Sequence, residues 1–344
     1  MVKLCNNIDR NNYRIDFCIS DKKIGAYENE LTNLGCKIFR VTMKSESPIR
    51  CFRDIMSIVH NEKYENVLLV NEHSLSVLDL IAARCGGAKK CSMRSTNASI
   101  AGKKLKNMHR LFKPLSMSVP HVMMAPSTEA AIFTFGKRNV KNGNAHILKN
   151  GLQYEKYEFD TEKRTMLRNE LKLENKFVIG HVGRFSAQKN HDFLIEIFYE
   201  ISQNNENAVL LLVGTGEKQQ EIIQKVKTLG IEEKILFLGT RTDVPELLSA
   251  MDMLLFPSFF EGMPNVVIEA QAAGLPCVIS DSITKEAAIT ELVKYISLEK
   301  NATEWAGEAL SHSSKFVRRS YKQEFYNAGY TIESVVKNFI DLVF

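Results

Sequence analysis

Short runs of β-branched and apolar residues alternate with amphipathic stretches along the whole chain, and this alternation constrains the fold most strongly. In the first half it predicts strands at 13–20, 37–42, 66–71, 89–95, 121–127 and 146–151. In the second half it predicts strands at 176–183, 208–214, 234–239, 253–258, 276–280 and 294–298. Strands that alternate with helices are typical of βαβ units. The chain is therefore predicted to be an α/β protein with parallel sheets.

A polar, helical stretch from Gly151 to about Lys176 separates the two alternations, and 344 residues suffice for two domains. We predict a first domain over 1–150, a second over 151–318, and a terminal helical segment over 319–344 that packs back on the first domain. A doubly wound domain usually opens with a strand and a tight glycine turn. Residues 1–12 supply neither, so the opening strand is expected to be missing.

The composition argues against several classes of protein. Hydrophobic residues make up 44% and charged residues 25% of the chain, as in soluble globular proteins. No stretch approaches the roughly 20 apolar residues of a spanning helix, and the first residues, MVKLCNNIDRNN, are too polar for a signal peptide. The seven cysteines show neither a C-x-x-C pair nor a metal-binding spacing. These features predict a cytoplasmic protein without a disulfide framework.

Charge is divided unevenly along the chain. Residues 1–150 hold 24 Lys and Arg against 12 Asp and Glu, whereas residues 151–344 hold 21 against 28. The basic half is expected to meet an anionic membrane surface or a phosphorylated acceptor, and a merely solubilising surface is the alternative. The clearest basic amphipathic stretch is IAGKKLKNMHRLFKPL, at 100–115, with apolar residues at helical spacing. It predicts either a membrane-facing helix or a core stripe with a solvated face.

The most informative window is FPSFFEGMPNVVIEAQAAG, at 256–274. A strand ends there, a loop follows, and a helix is predicted to start near Pro264. The start of a helix binds anions, and ligands of open α/β sheets lie at the carboxyl ends of strands. Glu261 in the loop and Glu269 in the helix can accept hydrogen bonds from vicinal hydroxyls of a sugar or ribose. Favourable charge near the helix start and a solvated helix face are the simpler alternatives.

A second cluster is GHVGRFSAQKNHDFL, at 180–194, where a predicted buried strand ends at Gly183. Arg184 and Lys189 flank the following loop and can hold the two phosphates of a diphosphate leaving group. They would offset the charge that develops as the group departs, so no metal is expected. A solvated basic loop is the alternative.

The third cluster consists of LLVGTGE, at 211–217, and FLGTRTDVPELL, at 237–248. Each has a glycine just after a strand, which leaves a backbone edge suited to a flat base. Such glycines are also common at ordinary turns, so this signal is weak alone.

The three clusters resemble the retaining glycosyltransferases of family 4 (group 1), especially the capsular and exopolysaccharide enzymes. The matching motifs lie between residues 183 and 278. They are G-R-x-x-x-x-K at 183–189, L-x-V-G-x-G within 211–217, F-L-G at 237–239, E-G-x-x-x-x-x-x-E at 261–269 and A-x-x-x-G-x-P-x-V at 270–278. The resemblance implies the GT-B fold, in which two Rossmann-like domains with parallel sheets face each other across a cleft.

The resemblance also implies roles for individual residues. The predicted donor-binding residues are Gly183, Arg184, Lys189, Gly214, Gly239, Thr240, Arg241, Glu261, Gly262, Met263, Pro264, Asn265 and Glu269. Of these, Arg184 and Lys189 would bind the diphosphate, Glu261 the hydroxyls of the transferred sugar, and Glu269 the ribose. The predicted catalytic residues are Glu261, Arg184 and Lys189.

The acceptor side departs from the family pattern. Members often carry a histidine after a strand of the first domain, near the reacting sugar. The corresponding run here, CSMRSTNAS, has Arg94 in that place. His73 in VNEHSLS is a nearby alternative, although a lone histidine is more often structural.

The resemblance implies transfer of a sugar, with retention, from a nucleoside diphosphate sugar to a hydroxyl of a growing glycan. A UDP-sugar is the expected donor, and a polyprenyl-diphosphate-linked glycan on the inner face of the cell membrane is the expected acceptor. No metal, separate cofactor or nucleic acid is expected. The alternatives are a non-catalytic nucleotide- or glycan-binding subunit and a UDP-sugar epimerase. A dehydrogenase is disfavoured because no G-x-G-x-x-G turn follows an early strand.

Overall fold

The computed structural model describes residues 1–21, 24, 25, 27–71, 74–96 and 103–344. The chain forms two compact units, one made of Met1–Gly151 and Gly329–Phe344, the other of Leu152–Ala328. Each predicted strand overlaps an observed strand, and all strand pairs in both units are parallel. The predicted α/β class with parallel sheets in two domains is confirmed.

The first unit alternates strands and helices from its amino terminus. Its strands are β1 (Phe17–Ile19), β2 (Ile38–Arg40), β3 (Asn66–Asn71), β4 (Lys90–Ser95), β5 (Val122–Ala125) and β6 (Ala145–Ile147). Its helices are α1 (Val2–Asn7), α2 (Glu28–Asn33), α3 (Pro48–Glu62), α4 (Val77–Cys85), α5 (Lys103–Ser118) and α6 (Thr128–Lys141). The described strands form two separate sheets, β1-β2 and β3-β4-β5-β6.

The second unit carries one six-stranded sheet in the order β12-β11-β10-β7-β8-β9. The strands are β7 (Phe177–Val182), β8 (Ala208–Val213), β9 (Ile235–Gly239), β10 (Met253–Phe256), β11 (Cys277–Ser280) and β12 (Val293–Ile296). The helices are α7 (Tyr154–Tyr157), α8 (Thr161–Glu170), α9 (His191–Asn204), α10 (Gln219–Leu229), α11 (Val244–Ala250), α12 (Asn265–Ala272), α13 (Ala302–Ser313) and α14 (Lys322–Asn327).

Helices cover both faces of the second unit's sheet, and every residue of its strand β8 is therefore buried. Successive side chains of a strand point to opposite faces. Leu210 accordingly packs in a cluster with α9 and α13, whereas Leu211 packs in another cluster with α11 and α12. The continuous apolar run of β8 is thus explained by burial on two sides.

The expected terminal segment 319–344 is divided between the units. α14 belongs to the second unit, where the Tyr321 N–H donates to the Tyr154 hydroxyl at 2.7 Å. The final helix, α15 (Ile332–Val343), packs in the first unit, where Phe339 joins a core cluster with Leu4 and Met124. Within the described part of the chain, no helix has the length and apolar character needed to cross a membrane.

Candidate active site

The residues that are predicted to bind the donor lie together at one edge of the second unit's sheet. β10, β7, β8 and β9 are neighbours and run in parallel, so the loops that follow them emerge side by side. Those loops begin at Pro257, Gly183, Gly214 and Thr240. We call this region, with the start of α12, the carboxyl edge.

Glycines allow the loops of the carboxyl edge to pack closely. Gly214 has a φ of 130°, and a Cβ atom there would lie 2.2 Å from the carbonyl oxygen of Gly183. The Gly214 N–H donates to the Gly239 carbonyl at 2.8 Å. A side chain at residue 214 would therefore meet both backbone strain and a steric clash. Three of the predicted donor-binding glycines thus lie together.

Lys189 and Glu261 form the central ion pair of this edge. The Lys189 Nζ atom donates to Glu261 Oε1 at 2.7 Å, and the two side chains are only 16% and 9% exposed. The ammonium group also lies 4.5 Å from the ring centroid of Phe256, the last residue of β10. The loops that carry the pair are joined by the Phe259 N–H, which donates to the Gln188 carbonyl at 2.9 Å. A cation and a carboxylate are therefore held together with little access to water.

The segment predicted to contact sugar and phosphate leads into α12. Pro264 is the N-cap residue and Asn265 is the first helical residue, after a loop containing Gly262 and Met263. Within α12, Glu269 Oε1 accepts a hydrogen bond from the Tyr157 hydroxyl at 3.1 Å. Burial, followed by the nearby carboxylate, raises the pKa of Tyr157, so the phenol remains a donor.

Two predicted donor-binding arginines are paired with carboxylates, Arg184 with one in the loop after β8 and Arg241 with one in its own loop. Arg184 Nη2 lies 3.0 Å from Glu217, and its side chain is 73% exposed. Arg241 donates to Asp243 at 2.8 and 2.5 Å. Next to Arg241, the Thr240 Oγ1 atom lies 3.5 Å from that of Thr215. Arg184 therefore shares the edge with Lys189, but its side chain has a different carboxylate partner.

Sequence reasoning missed two histidines beneath the Lys189–Glu261 pair. The rings of His181 and His191 lie 4.7 Å apart, and His191 stacks on Phe185 at 4.2 Å. Burial lowers the pKa of His181 well below its ordinary value, and lowers that of His191 to about 4, with Lys189 contributing. Both rings are therefore neutral at pH 7. The G-H-V-G and K-N-H runs are the only signal the sequence offered for them.

Some polar atoms near this pair lack a partner. Among the described residues of the second unit, the buried side-chain atoms without a hydrogen bond are His181 Nε2, both ring nitrogens of His191, and Ser258 Oγ. A Cβ at Gly183 would lie 3.2 Å from His181 Nε2 and 3.1 Å from Lys189 Cε. Buried polar groups are normally hydrogen-bonded, so this cluster marks a place where polar ligands are expected.

The predicted acceptor-side residues belong to the first unit. His73 lies outside the described residues. Arg94, in β4, donates to the Leu148 carbonyl at 3.3 Å and to the Asn150 side chain at 2.7 Å. Burial lowers the pKa of its guanidinium. In this structure Arg94 therefore ties β4 to the segment that follows β6.

A cavity lies at the opposite edge of the second unit's sheet, where strands begin. It has a volume of about 580 Å³ and is lined by Arg164, Arg168, Arg318 and Asp252, among others. Arg164 and Arg168 both pair with Asp252, and all three arginines donate to backbone carbonyls. We call these four residues the amino-edge cluster. No group of three or more His, Cys, Asp or Glu suited to a metal ion occurs in the described ranges.

Comparisons with known proteins agree with this arrangement. A family profile described as "Glycosyl transferases group 1" matches residues 176–312. The chain is 28% identical to the glycosyltransferase EpsF of Bacillus subtilis (strain 168), over 95% of this chain and 88% of that protein. It is 27% identical to the Escherichia coli UDP-Gal:alpha-D-GlcNAc-diphosphoundecaprenol alpha-1,3-galactosyltransferase, over 78% of this chain and 72% of that protein.

Solved structures share the fold. HepE of Anabaena, crystallised with UDP-glucose, is 19% identical and superposes with a TM-score of 0.75 over 99% of this chain and 94% of that chain. A glycosyltransferase from Rickettsia africae superposes with a TM-score of 0.77 at 12% identity, over 99% and 92%. The matched domain contains every strand of the second unit's sheet, and the structural likeness extends over both units. The second unit therefore carries a group 1 glycosyltransferase domain, the chain has the GT-B fold, and the protein is a hexosyltransferase of the EC 2.4 class.

Proposed function

We propose that this enzyme transfers a hexosyl group from a UDP-sugar to a hydroxyl of a lipid-linked glycan, with retention of configuration, during surface polysaccharide synthesis. Polysaccharide synthesis also fits the relatives, whose names include a Vi polysaccharide protein and an amylovoran glycosyltransferase. HepE was crystallised with UDP-glucose, and the Escherichia coli relative is named for a UDP-galactose donor and a diphosphoundecaprenol acceptor. For this chain, the finer assignment rests on the chemistry of the carboxyl edge.

The observation that carries the proposal is the buried ion pair of Lys189 and Glu261. A lysine ammonium has three donors, so Lys189 can bind a phosphate oxygen while it still donates to Glu261. The Glu261 carboxylate likewise has acceptor sites left for sugar hydroxyls. In a nucleotide sugar, the sugar is bonded directly to the diphosphate. The Lys189 ammonium and the Glu261 carboxylate, 2.7 Å apart, can therefore contact the diphosphate and the sugar, which lie on the two sides of the bond that breaks.

The diphosphate would gain further support from groups around the pair. α12 begins at Asn265, and its first N–H groups carry the positive end of the helix dipole. The exposed Arg184 side chain can exchange Glu217 for phosphate oxygens at little cost, because exposed ion pairs are weak. Positive groups that are fixed before the reaction stabilise the charge that develops on the departing diphosphate.

The nucleoside would lie along the neighbouring loops. Tyr157 donates to Glu269, whose carboxylate is the proposed acceptor for the ribose hydroxyls. The close backbone around Gly239 offers an edge for the base.

We propose that the acceptor hydroxyl attacks the sugar on the face from which the diphosphate leaves, while the sugar cation and the diphosphate are still paired. A carboxylate nucleophile is not proposed, because the carboxylates here have other partners. Retaining hydrolases use two carboxyl groups about 5 Å apart, one of them a nucleophile. Glu261 is committed to Lys189, and Glu269 is held by Tyr157 one helix away. We therefore assign neither carboxylate the role of a nucleophile.

α5 supports the proposed contact with a membrane. Its exposed apolar side chains are Leu105, Leu111 and Leu115, with exposed fractions of 43%, 73% and 37%. Exposed Lys106 and Arg110 lie on the same helix. The core-stripe alternative does not account for three exposed leucines. Apolar side chains flanked by basic ones suit the surface of an anionic bilayer, where a polyprenyl-linked acceptor resides.

A panel of nucleotide sugars tests the proposal. UDP-glucose, UDP-galactose, UDP-N-acetylglucosamine and GDP-mannose are each incubated with the enzyme, with and without a diphosphoundecaprenol-linked sugar, and nucleotide release is measured. We expect release of UDP from one UDP-sugar only when acceptor is present, and an α-linked product by NMR. Release of GDP alone would contradict the proposed donor, and a β-linked product would contradict retention.

A further inference from the structure

The two sheets of the first unit are separate, and a cavity lies between β1 and β3. β1 pairs with β2, β3 pairs with β4, and no described strand pairs with the remaining edges of β1 and β3. A cavity of about 460 Å³ lies between these edges and is lined by residues 14–19 of one and 66–70 of the other. We call this cavity the strand slot.

The two edges run side by side in the same direction. Tyr64 and Asp16 each lie just before their strands, and the Tyr64 hydroxyl donates to the Asp16 carboxylate. Arg14 bridges the same two residues. Because the strand starts are joined and both strands line one cavity, β1 and β3 are parallel neighbours separated by the slot.

The slot presents unpaired backbone groups. The Phe17 N–H and the Ile19 carbonyl bond to the β2 side, at 2.8 and 3.0 Å. Backbone groups of alternate residues in a strand point to opposite edges, so those of Cys18 point toward the slot. β3 is bonded to β4 on its far side only. Edges of this kind are templates for another strand.

Both remaining walls of the slot are apolar. Ile55, Ile58 and Val59 of α3 line one part, and Phe339 and Val343 of α15 line another. In addition, Val70 of β3 is 41% exposed. A strand buried between two helical layers carries apolar side chains on both faces.

We propose that the strand slot binds an extended apolar peptide of about five residues, which the described residues do not supply, as a parallel strand that joins the two sheets. Neighbouring strands lie about 4.8 Å apart, so one strand can pair with both edges at once. An acyl chain would fill the apolar space but leave the backbone groups of both edges unsatisfied. A folded second copy does not fit, because helices flank the slot. This inference is independent of the donor site.

The two exposed cysteines provide a test. Cys18 lines the slot, whereas Cys85 lies at the end of α4, and the other five cysteines are buried. The peptide acetyl-KVIVFVK-amide is added to the full chain, and in a second arm the same sequence is fused ahead of Met1 through a flexible glycine-serine linker. Alkylation by N-ethylmaleimide is followed at each cysteine by mass spectrometry. The matched control is KVIPFVK, whose central proline removes a backbone donor.

We expect the fused strand to slow alkylation of Cys18 at least about tenfold, since a linker raises the effective concentration to the millimolar range. Alkylation of Cys85 should not change, amide exchange at 66–70 should slow, and the proline sequence should have little effect. Unchanged Cys18 alkylation in the fused protein would overturn the proposal. So would equal protection by a decyl detergent, which would indicate an acyl-chain site, or protection that appears only on dimerisation of the unfused chain.

Discussion

Both edges of the second unit's sheet carry a cluster of charged side chains, but the two clusters satisfy their polar atoms differently. In the amino-edge cluster, Asp252 accepts from two arginines and from the Val178 N–H, while the arginines donate to carbonyls at the ends of helices. At the carboxyl edge, Lys189 and Glu261 pair above buried His181 and His191, whose rings retain unpaired nitrogens. A cavity of about 580 Å³ lies at the amino edge.

The comparison separates charge that stabilises the fold from charge that is available for a ligand. Arginines at the amino edge neutralise the carbonyl end of α11, so their positive charge is already used. The cavity and the charge of the amino edge alone would favour that edge. Hydrogen-bond satisfaction, together with the position of the loops after the strands, favours the carboxyl edge.

The largest expected effect concerns the amino edge. Asp252→Ala should lower the free energy of unfolding of the second unit by about 3–5 kcal/mol, because it leaves buried guanidinium groups without their carboxylate. Urea unfolding followed by the fluorescence of Trp305, the single tryptophan, measures this loss. UDP affinity per folded molecule should stay within twofold of the parent. Loss of UDP binding in folded Asp252→Ala protein would erase the distinction between the edges.

At the carboxyl edge we expect the opposite pattern. Lys189→Ala should lower kcat/KM about 10²–10³-fold, the usual consequence of removing one preorganised charge-stabilising group. Arg184→Ala should lower it by the lower part of this range, and it tests the charge more cleanly because an exposed side chain contributes little to folding.

The matched control for these variants is Lys225→Ala. Lys225 pairs with Asp192 and Glu196 on the surface of the same unit. Its removal should leave kcat/KM within twofold. Activity of Lys189→Ala and Arg184→Ala that is also within a few-fold of the parent would contradict the assigned roles.

The buried histidines predict a pH dependence of stability. The pKa of His191 is about 4 in the folded enzyme and near 6.5 in the unfolded chain. As pH falls from 6.5 to 4, the unfolded state binds the extra proton first, so up to about 3 kcal/mol of unfolding free energy is lost. His191→Phe keeps the ring stacked on Phe185 and should lose less over this interval. Parallel pH profiles for parent and variant, by Trp305 fluorescence in urea, would contradict the account.

The smallest expected effect concerns the nucleoside. Glu269→Gln should weaken UDP binding about tenfold, because a hydrogen bond to a charged group contributes about 1.5–3 kcal/mol. Tyr157→Phe keeps the carboxylate and should weaken it only about two- to threefold. Isothermal titration calorimetry measures both. Equal losses in the two variants would mean that Tyr157 contacts the ligand rather than positioning Glu269.

Sequence patterns predicted the strands well, because strands depend on short-range features. The glycine after β8 and the loop before α12 follow from strand ends and turn chemistry. Side-chain partners did not follow, because they join residues far apart in sequence. Tyr157 reaches Glu269 across 112 residues, and Arg184 pairs with Glu217 of the loop after β8.

No sequence pattern predicted that the strands of the first unit form two separate sheets. Residues 1–12 lack the features of an opening strand, which the sequence displays directly. The Tyr64–Asp16 hydrogen bond joins the starts of β1 and β3, and residues of α3 and α15 line the cavity between the two strands. Periodicity does not encode such packing.

Amide hydrogen exchange with and without UDP tests the central claim most directly. We predict that UDP slows exchange at 183–190, 214–217, 239–241 and 262–270, the loops of the carboxyl edge, and leaves 164–176 and 313–318 at the amino edge unchanged. Protection confined to the amino edge would contradict the assignment of the donor site, as would uniform exchange at saturating UDP.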